Sequence, residues 1–160
     1  MTDRWTPIAV IGPAQASPEE LALAEELGRL LAEQGAVLIC GGTGGVMEAA
    51  CRGAAGAGGL TVGILPGSDP EAANPFVRVS LPTGLGEARN AVLMTAASAV
   101  IAVGGGYGTL SEIGFALKQG RRVVGLKTWT AQAADGSAAA IRAAADPRTA
   151  VDWALATRKA

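Results

Sequence analysis

Val100-Ile101-Ala102-Val103-Gly104-Gly105-Gly106-Tyr107-Gly108-Thr109-Leu110-Ser111-Glu112 is an apolar strand that runs into a glycine turn and then into a helix. Glycines let the backbone turn tightly and come close to a ligand. The helix that follows presents free N–H groups and the positive end of its dipole, so the stretch reads as a cradle for an anion, most commonly a phosphate.

The same order recurs upstream of this stretch. Ala36-Val37-Leu38-Ile39-Cys40 is a strand, Gly41-Gly42-Thr43-Gly44-Gly45 a second glycine loop, and a helix follows to about Ala57. Upstream, Pro7-Ile8-Ala9-Val10-Ile11 is an apolar run closed by Gly12-Pro13. Ser17-Pro18-Glu19-Glu20 then combines an N-cap, a first-turn proline and a capping-box Glu; Leu23, Leu27, Leu30 and Leu31 share one helical face, and Gly35 stops the helix. Leu60 to Leu65 reads as a strand ended by Pro66-Gly67, the polar stretch to Pro75 as a surface loop, and Phe76 to Val79 as a short strand.

Gly86 to Ala97 has helical spacing and carries Arg89-Asn90 in its first turns. The helix after the central glycines runs to about Gln119, with Lys118 and Gly120 as end signals, and Arg122 to Leu126 is another strand. Ala138 to Arg142 fits an edge strand or a loop, and Asp146-Pro147 opens a last helix to about Thr157. Alternating strands and helices imply a parallel sheet covered on both faces. The expectation is a doubly wound, Rossmann-like three-layer α/β/α sandwich, with residues 1–160 forming one nucleotide-binding domain.

Composition narrows the function classes. Thirteen Lys and Arg against fourteen Asp and Glu give a net charge of -1, which offers no basic field for nucleic acid. Cys40 and Cys51 follow no metal spacing and read as buried thiols of a cytoplasmic protein; no metal site is expected. The polar N-terminus and the absence of a long apolar run point to no membrane segment. The chain has no histidine, so any proton transfer falls to Asp, Glu, Tyr, Cys or Lys.

In a doubly wound sheet, ligands bind beyond the carboxyl ends of the strands. Gly12, Gly41, Gly42, Thr43, Gly44, Gly45, Gly105, Gly106, Tyr107, Gly108 and Thr109 all fall there and are the candidate phosphate- and nucleotide-binding residues. Neither loop has the dinucleotide spacing G-x-G-x-x-G, and no P-loop lysine follows either one. NAD binding and ATP hydrolysis are therefore poor matches.

The central strand, Gly104-Gly105-Gly106-Tyr107-Gly108-Thr109 with Glu112, and Arg89 on the preceding helix resemble the LONELY GUY family of cytokinin riboside monophosphate phosphoribohydrolases, over Ile8 to about Leu126. The triple glycine and Ser111-Glu112 look more like its short bacterial nucleotide-binding branch and the related molybdenum-cofactor carrier proteins. The hydrolases usually have proline where Gly104 stands, and Arg-Lys where Arg89-Asn90 stands. The resemblance implies hydrolysis of the bond between base and ribose 5′-phosphate, with Arg89 and Glu112 as the catalytic positions and no cofactor required. It equally implies a carrier or sensor without chemistry, with the molybdopterin cofactor as cargo, and a homodimer or homotetramer.

Bland readings stand beside these. Thr109-Leu110-Ser111-Glu112 fits a capping box, which needs no substrate. Arg89 fits a solvated helix residue paired with Glu87 or Glu112, and Gly41 to Gly45 fits a tight connection. Tyr107 fits either the pocket or a subunit contact. Trp129 and Trp153 read as packing or subunit-contact residues, and Asp69, Glu71 and Lys127 as surface charges.

Overall fold

The computed structural model describes residues 5–156. Seven parallel strands form one sheet: β1 (Pro7–Ile11), β2 (Val37–Cys40), β3 (Thr61–Leu65), β4 (Val79–Pro82), β5 (Ala99–Val103), β6 (Arg122–Leu126) and β7 (Ile141–Ala143). Their spatial order is β4-β3-β2-β1-β5-β6-β7. The order reverses between β1 and β5, which pair as Ile8 to Ala99 through Ile11 to Ala102. That reversal leaves a crevice where the chain leaves the two strands in opposite directions.

Five helices cover the sheet: α1 (Pro18–Glu33), α2 (Val46–Gly56), α3 (Arg89–Ala96), α4 (Tyr107–Lys118) and α5 (Pro147–Leu155). Alternation along the central strands sets the layers, because successive side chains point to opposite faces. Ile8 and Val10 of β1, with Ile101 and Val103 of β5, pack under α1, α2 and α5. Ala9 and Ile11, with Val100 and Ala102, pack under α3 and α4. Between α1 and α2 the backbones nearly touch, since a Cβ on Gly28 would overlap the Ala50 carbonyl and one on Gly53 the Glu25 carbonyl. Small residues thus do the packing that aromatic side chains do in other cores.

The expected strand at Phe76 to Val79 lies three residues later, at Val79–Pro82. Asn74 explains the shift. Its side-chain oxygen accepts from the Phe76 N–H at 3.1 Å and its main-chain carbonyl from the Val77 N–H at 3.1 Å, so this segment is a turn. Phe76 and Val77 point at the core from that turn rather than from a ladder. The Ala138 to Arg142 alternative resolves into a short edge strand at Ile141–Ala143. Thr157, the expected end of the last helix, lies outside the described residues, as do residues 1–4. Among the described residues, no helix is long and apolar enough to cross a membrane.

Candidate ligand-binding site

The crevice at the β1/β5 reversal holds a cavity of about 390 Å³ lined by Gly12, Pro13, Ala14, Thr43, Met47, Glu87, Arg89, Asn90, Gly106, Gly108, Thr109 and Glu112. Six sequence-predicted residues from the loops meet there or beside it: Gly12, Thr43, Gly106, Gly108, Thr109 and, in an adjoining cavity, Tyr107. Gly41, Gly42, Gly44, Gly45 and Gly105 do not line either cavity. Arg89 and Glu112, expected as a pair, do line the first.

The floor is the start of α4. Gly106 is its N-cap, with no side-chain hydrogen bond closing it. By contrast, α1 is closed by a full capping box of Ser17 and Glu20, and α5 by Asp146, which accepts from the Thr149 N–H. An uncapped helix start leaves its first N–H groups seeking an acceptor. Gly104 reaches this start with φ 59, a left-handed conformation closed to proline, whose ring fixes φ near -65°. The glycine that stands in place of the hydrolases' proline therefore comes with a different backbone path.

Because α4 begins at Tyr107, Thr109 is its third residue and Glu112 its sixth, so the expected capping box does not form. Thr109 is buried and Glu112 is partly buried. Burial pushes the Glu112 carboxyl up to about 7, and the Arg89 charge only partly offsets this. Among the described residues no ion pair or hydrogen bond ties down the Glu112 carboxylate.

Arg89 is neither solvated nor paired with Glu87 or Glu112. It is the first residue of α3, and its Nη1 donates to the carbonyls of Gly41 and Ile64, each at 2.5 Å. The guanidinium thus bridges the ends of β2 and β3, and a Cβ on Gly41 would lie 2.5 Å from Nη1. Burial lowers the Arg89 pKa, with Glu112 acting in the opposite direction. Its Nε is sealed from solvent without a partner.

Behind the Gly41–Gly45 loop, Cys40 and Cys51 are buried with Sγ atoms 3.5 Å apart. The contact with Cys51 lowers the Cys40 thiol's pKa, and the same contact with burial raises that of Cys51. Three further residues were not singled out for the site from sequence. Asn74 holds the loop through Gly42 and Thr43, Asn90 lines the cavity, and Trp129 donates its indole N–H to the Gly106 carbonyl at 3.1 Å. Asn74 sits in a stretch polar enough to pass for surface, yet it is 8% exposed. Trp129 lies in a segment with little periodicity, so its position had no local signal. Lys127, expected as a plain surface charge, pairs with Glu19 across the crevice side of the sheet.

The family model described as the SLOG cluster4 family matches residues 6–151. The chain belongs to this family. That membership agrees with the resemblance to the LONELY GUY superfamily and its molybdenum-cofactor carrier relatives. Among solved structures, the molybdenum cofactor binding protein of Rippkaea orientalis is similar at 35% identity and a TM-score of 0.88, covering 99% of this chain and 100% of that one. The molybdenum cofactor carrier protein of Chlamydomonas reinhardtii is 32% identical with a TM-score of 0.79, covering 98% of each chain. An uncharacterized protein of Archaeoglobus fulgidus is 48% identical over 120 residues, 75% of this chain and 79% of that protein.

Proposed function

We propose that the chain binds a small phosphoester in the β1/β5 crevice and carries it intact, the cargo being of the molybdenum-cofactor type. One observation carries the reading: among the helix starts without a side-chain cap, those of α2, α3 and α4, the start of α4 brings Gly106, Gly108 and Thr109 to the cavity wall, whereas α1 and α5 are closed by their own side chains. The phosphate would complete α4 as those side chains complete the other two. The similar molybdenum cofactor binding and carrier proteins of Rippkaea orientalis and Chlamydomonas reinhardtii support the choice of cargo.

Arg89 supports carriage over cleavage. Its Nη1 is engaged in holding the scaffold, donating to two main-chain carbonyls. A second reading, hydrolysis of the base–ribose bond of a nucleoside 5′-monophosphate, is favoured by one feature only. Glu112 lines the cavity with a pKa of about 7, the range in which a carboxyl can exchange protons with a reacting group.

The test is to denature the protein purified from its own cells, oxidise the released material, and look for pterin fluorescence and bound molybdenum by mass spectrometry. A pterin phosphate in near-stoichiometric amount is expected. Free base and ribose 5-phosphate released from AMP by the native chain, and not by Glu112→Ala, would replace carriage with hydrolysis.

A further inference from the structure

The first cavity has a neighbour of about 440 Å³, lined by Glu87, Ala88, Asn90, Tyr107, Gly108, Ser111 and Phe115. The two share Glu87, Asn90 and Gly108, so they are lobes of one depression separated by the first turn of α4. Their chemistry differs. The first lobe has the uncapped helix start, Arg89 and Glu112; the second is bounded by two aromatic rings and small residues, with Glu87 and Asn90 on the wall it shares with the first.

Those rings are unusually open. Tyr107 is 84% exposed and Phe115 is 40% exposed. Tyr107 is nevertheless held in place, because its ring lies against Trp129 with centroids 5.9 Å apart, and Trp129 is fixed by its hydrogen bond to the Gly106 carbonyl. An aromatic ring braced by a second ring and left open on its other side is a preformed stacking surface. Asn90 stands at the shared wall with its side-chain carbonyl sealed and unpartnered. A rotation about its soft χ2 would be needed for that acceptor to meet an N–H donor in the depression.

We propose that the second lobe is a subsite for the ring of the ligand, an aromatic heterocycle bearing N–H donors, stacked against Tyr107 and Phe115 and read by the Asn90 amide. The inference rests on the first lobe holding the phosphate of the same molecule. The division explains why one short helix start carries both glycine and tyrosine: Gly108 leaves the phosphate end open, and Tyr107 faces the ring.

The test compares probes with and without a ring by calorimetry: inorganic phosphate, ribose 5-phosphate, AMP and 6-hydroxymethylpterin phosphate. At least one ring-bearing probe is expected to bind ten times or more tighter than ribose 5-phosphate. Phe115→Ala and Ser111→Trp, which respectively remove and obstruct the lobe, are expected to abolish that advantage while ribose 5-phosphate binding stays within twofold. Ring binding is also expected to change tryptophan fluorescence in the native chain and not in Trp129→Phe. Equal affinity for ribose 5-phosphate and both ring-bearing probes overturns the subsite but leaves the phosphate cradle standing. Failure of every probe, phosphate included, overturns the cradle and the subsite together. A change of mass in light scattering with Phe115→Ala or Ser111→Trp would assign this face to a second copy of the chain and overturn the proposal.

Discussion

Gly41 to Gly45 and Gly104 to Gly108 look alike in sequence and are used in opposite ways. In the first loop the backbone is turned inward. The Gly41 carbonyl accepts from Arg89, the Gly42 N–H donates to Cys40 Sγ at 3.3 Å, and the Gly42 and Thr43 carbonyls accept from Asn74 at 2.8 and 2.9 Å. Even the Thr43 hydroxyl donates to Met47 Sδ at 3.4 Å. In the second loop the bonds sit at the edges: the Gly104 N–H donates to the Leu126 carbonyl, and the Gly106 carbonyl accepts from Leu110 and Trp129. A glycine-rich turn after a strand shows that something approaches the backbone closely, and here one visitor is the protein itself.

The largest effect that tests this contrast belongs to the first loop. Gly45 has φ 65, and a Cβ there would overlap the Pro13 and Ala14 carbonyls that pack beneath it. Gly45→Ala is expected to cost on the order of 3 kcal/mol, by forcing a left-handed alanine and a backbone clash at once. Thermal denaturation should show the midpoint falling by about 6 to 12 °C. A midpoint within a degree of the native one, together with weakened ligand binding, would make the first loop a second cradle and end the contrast.

Much of the frame is legible because the signals are local. Pro7–Ile11 and Ala99–Val103 are uninterrupted apolar runs, and Ser17 with Glu20 forms the capping box that its spacing announces. The site is legible in part for the same reason, since Gly12, Thr43, Gly106, Gly108, Thr109, Arg89 and Glu112 reach one cavity. What escapes is decided by distant partners. Arg89 takes its role from the Gly41 and Ile64 carbonyls, 48 and 25 positions away, and Trp129 from Gly106, 23 away. Glu112 loses its capping role to a helix start three residues earlier than the Thr109 pattern indicates, because Gly106 leads straight into the helix.

Glu112 sharpens the contrast from the second loop's side. Its folded pKa is raised to about 7 from 4.5, so the unfolded chain ionises it first and stability falls as pH rises from about 4.5 to 7. Above 7 the full penalty is present, on the order of 3 kcal/mol before relaxation of the site. Glu112→Gln should therefore be more stable than the native chain at pH 8, by up to about that amount, and equal to it at pH 4.5. Urea denaturation at the two pH values reads this directly. Equal stability at both would mean the carboxyl is solvated, and the second loop would lose its mark of a site that trades stability for a ligand.

The smallest effect on stability, and the one most specific to the second loop, is expected at Gly108. A Cβ there meets nothing within 4 Å, and the residue lies in the first turn of α4, where alanine is a better helix former than glycine. Gly108→Ala should raise stability by about 0.5 kcal/mol. The same methyl group enters the wall shared by both lobes, where a phosphate would approach the helix N–H groups. Binding of a ring-bearing phosphoester should weaken by about tenfold, or about 1.4 kcal/mol. Gains in stability with losses in binding are what an open cradle requires, whereas the packed loop at Gly45 requires a loss of stability. If Gly108→Ala binds as tightly as the native chain, the phosphate lies elsewhere in the crevice, and the uncapped start of α4 is left without a partner.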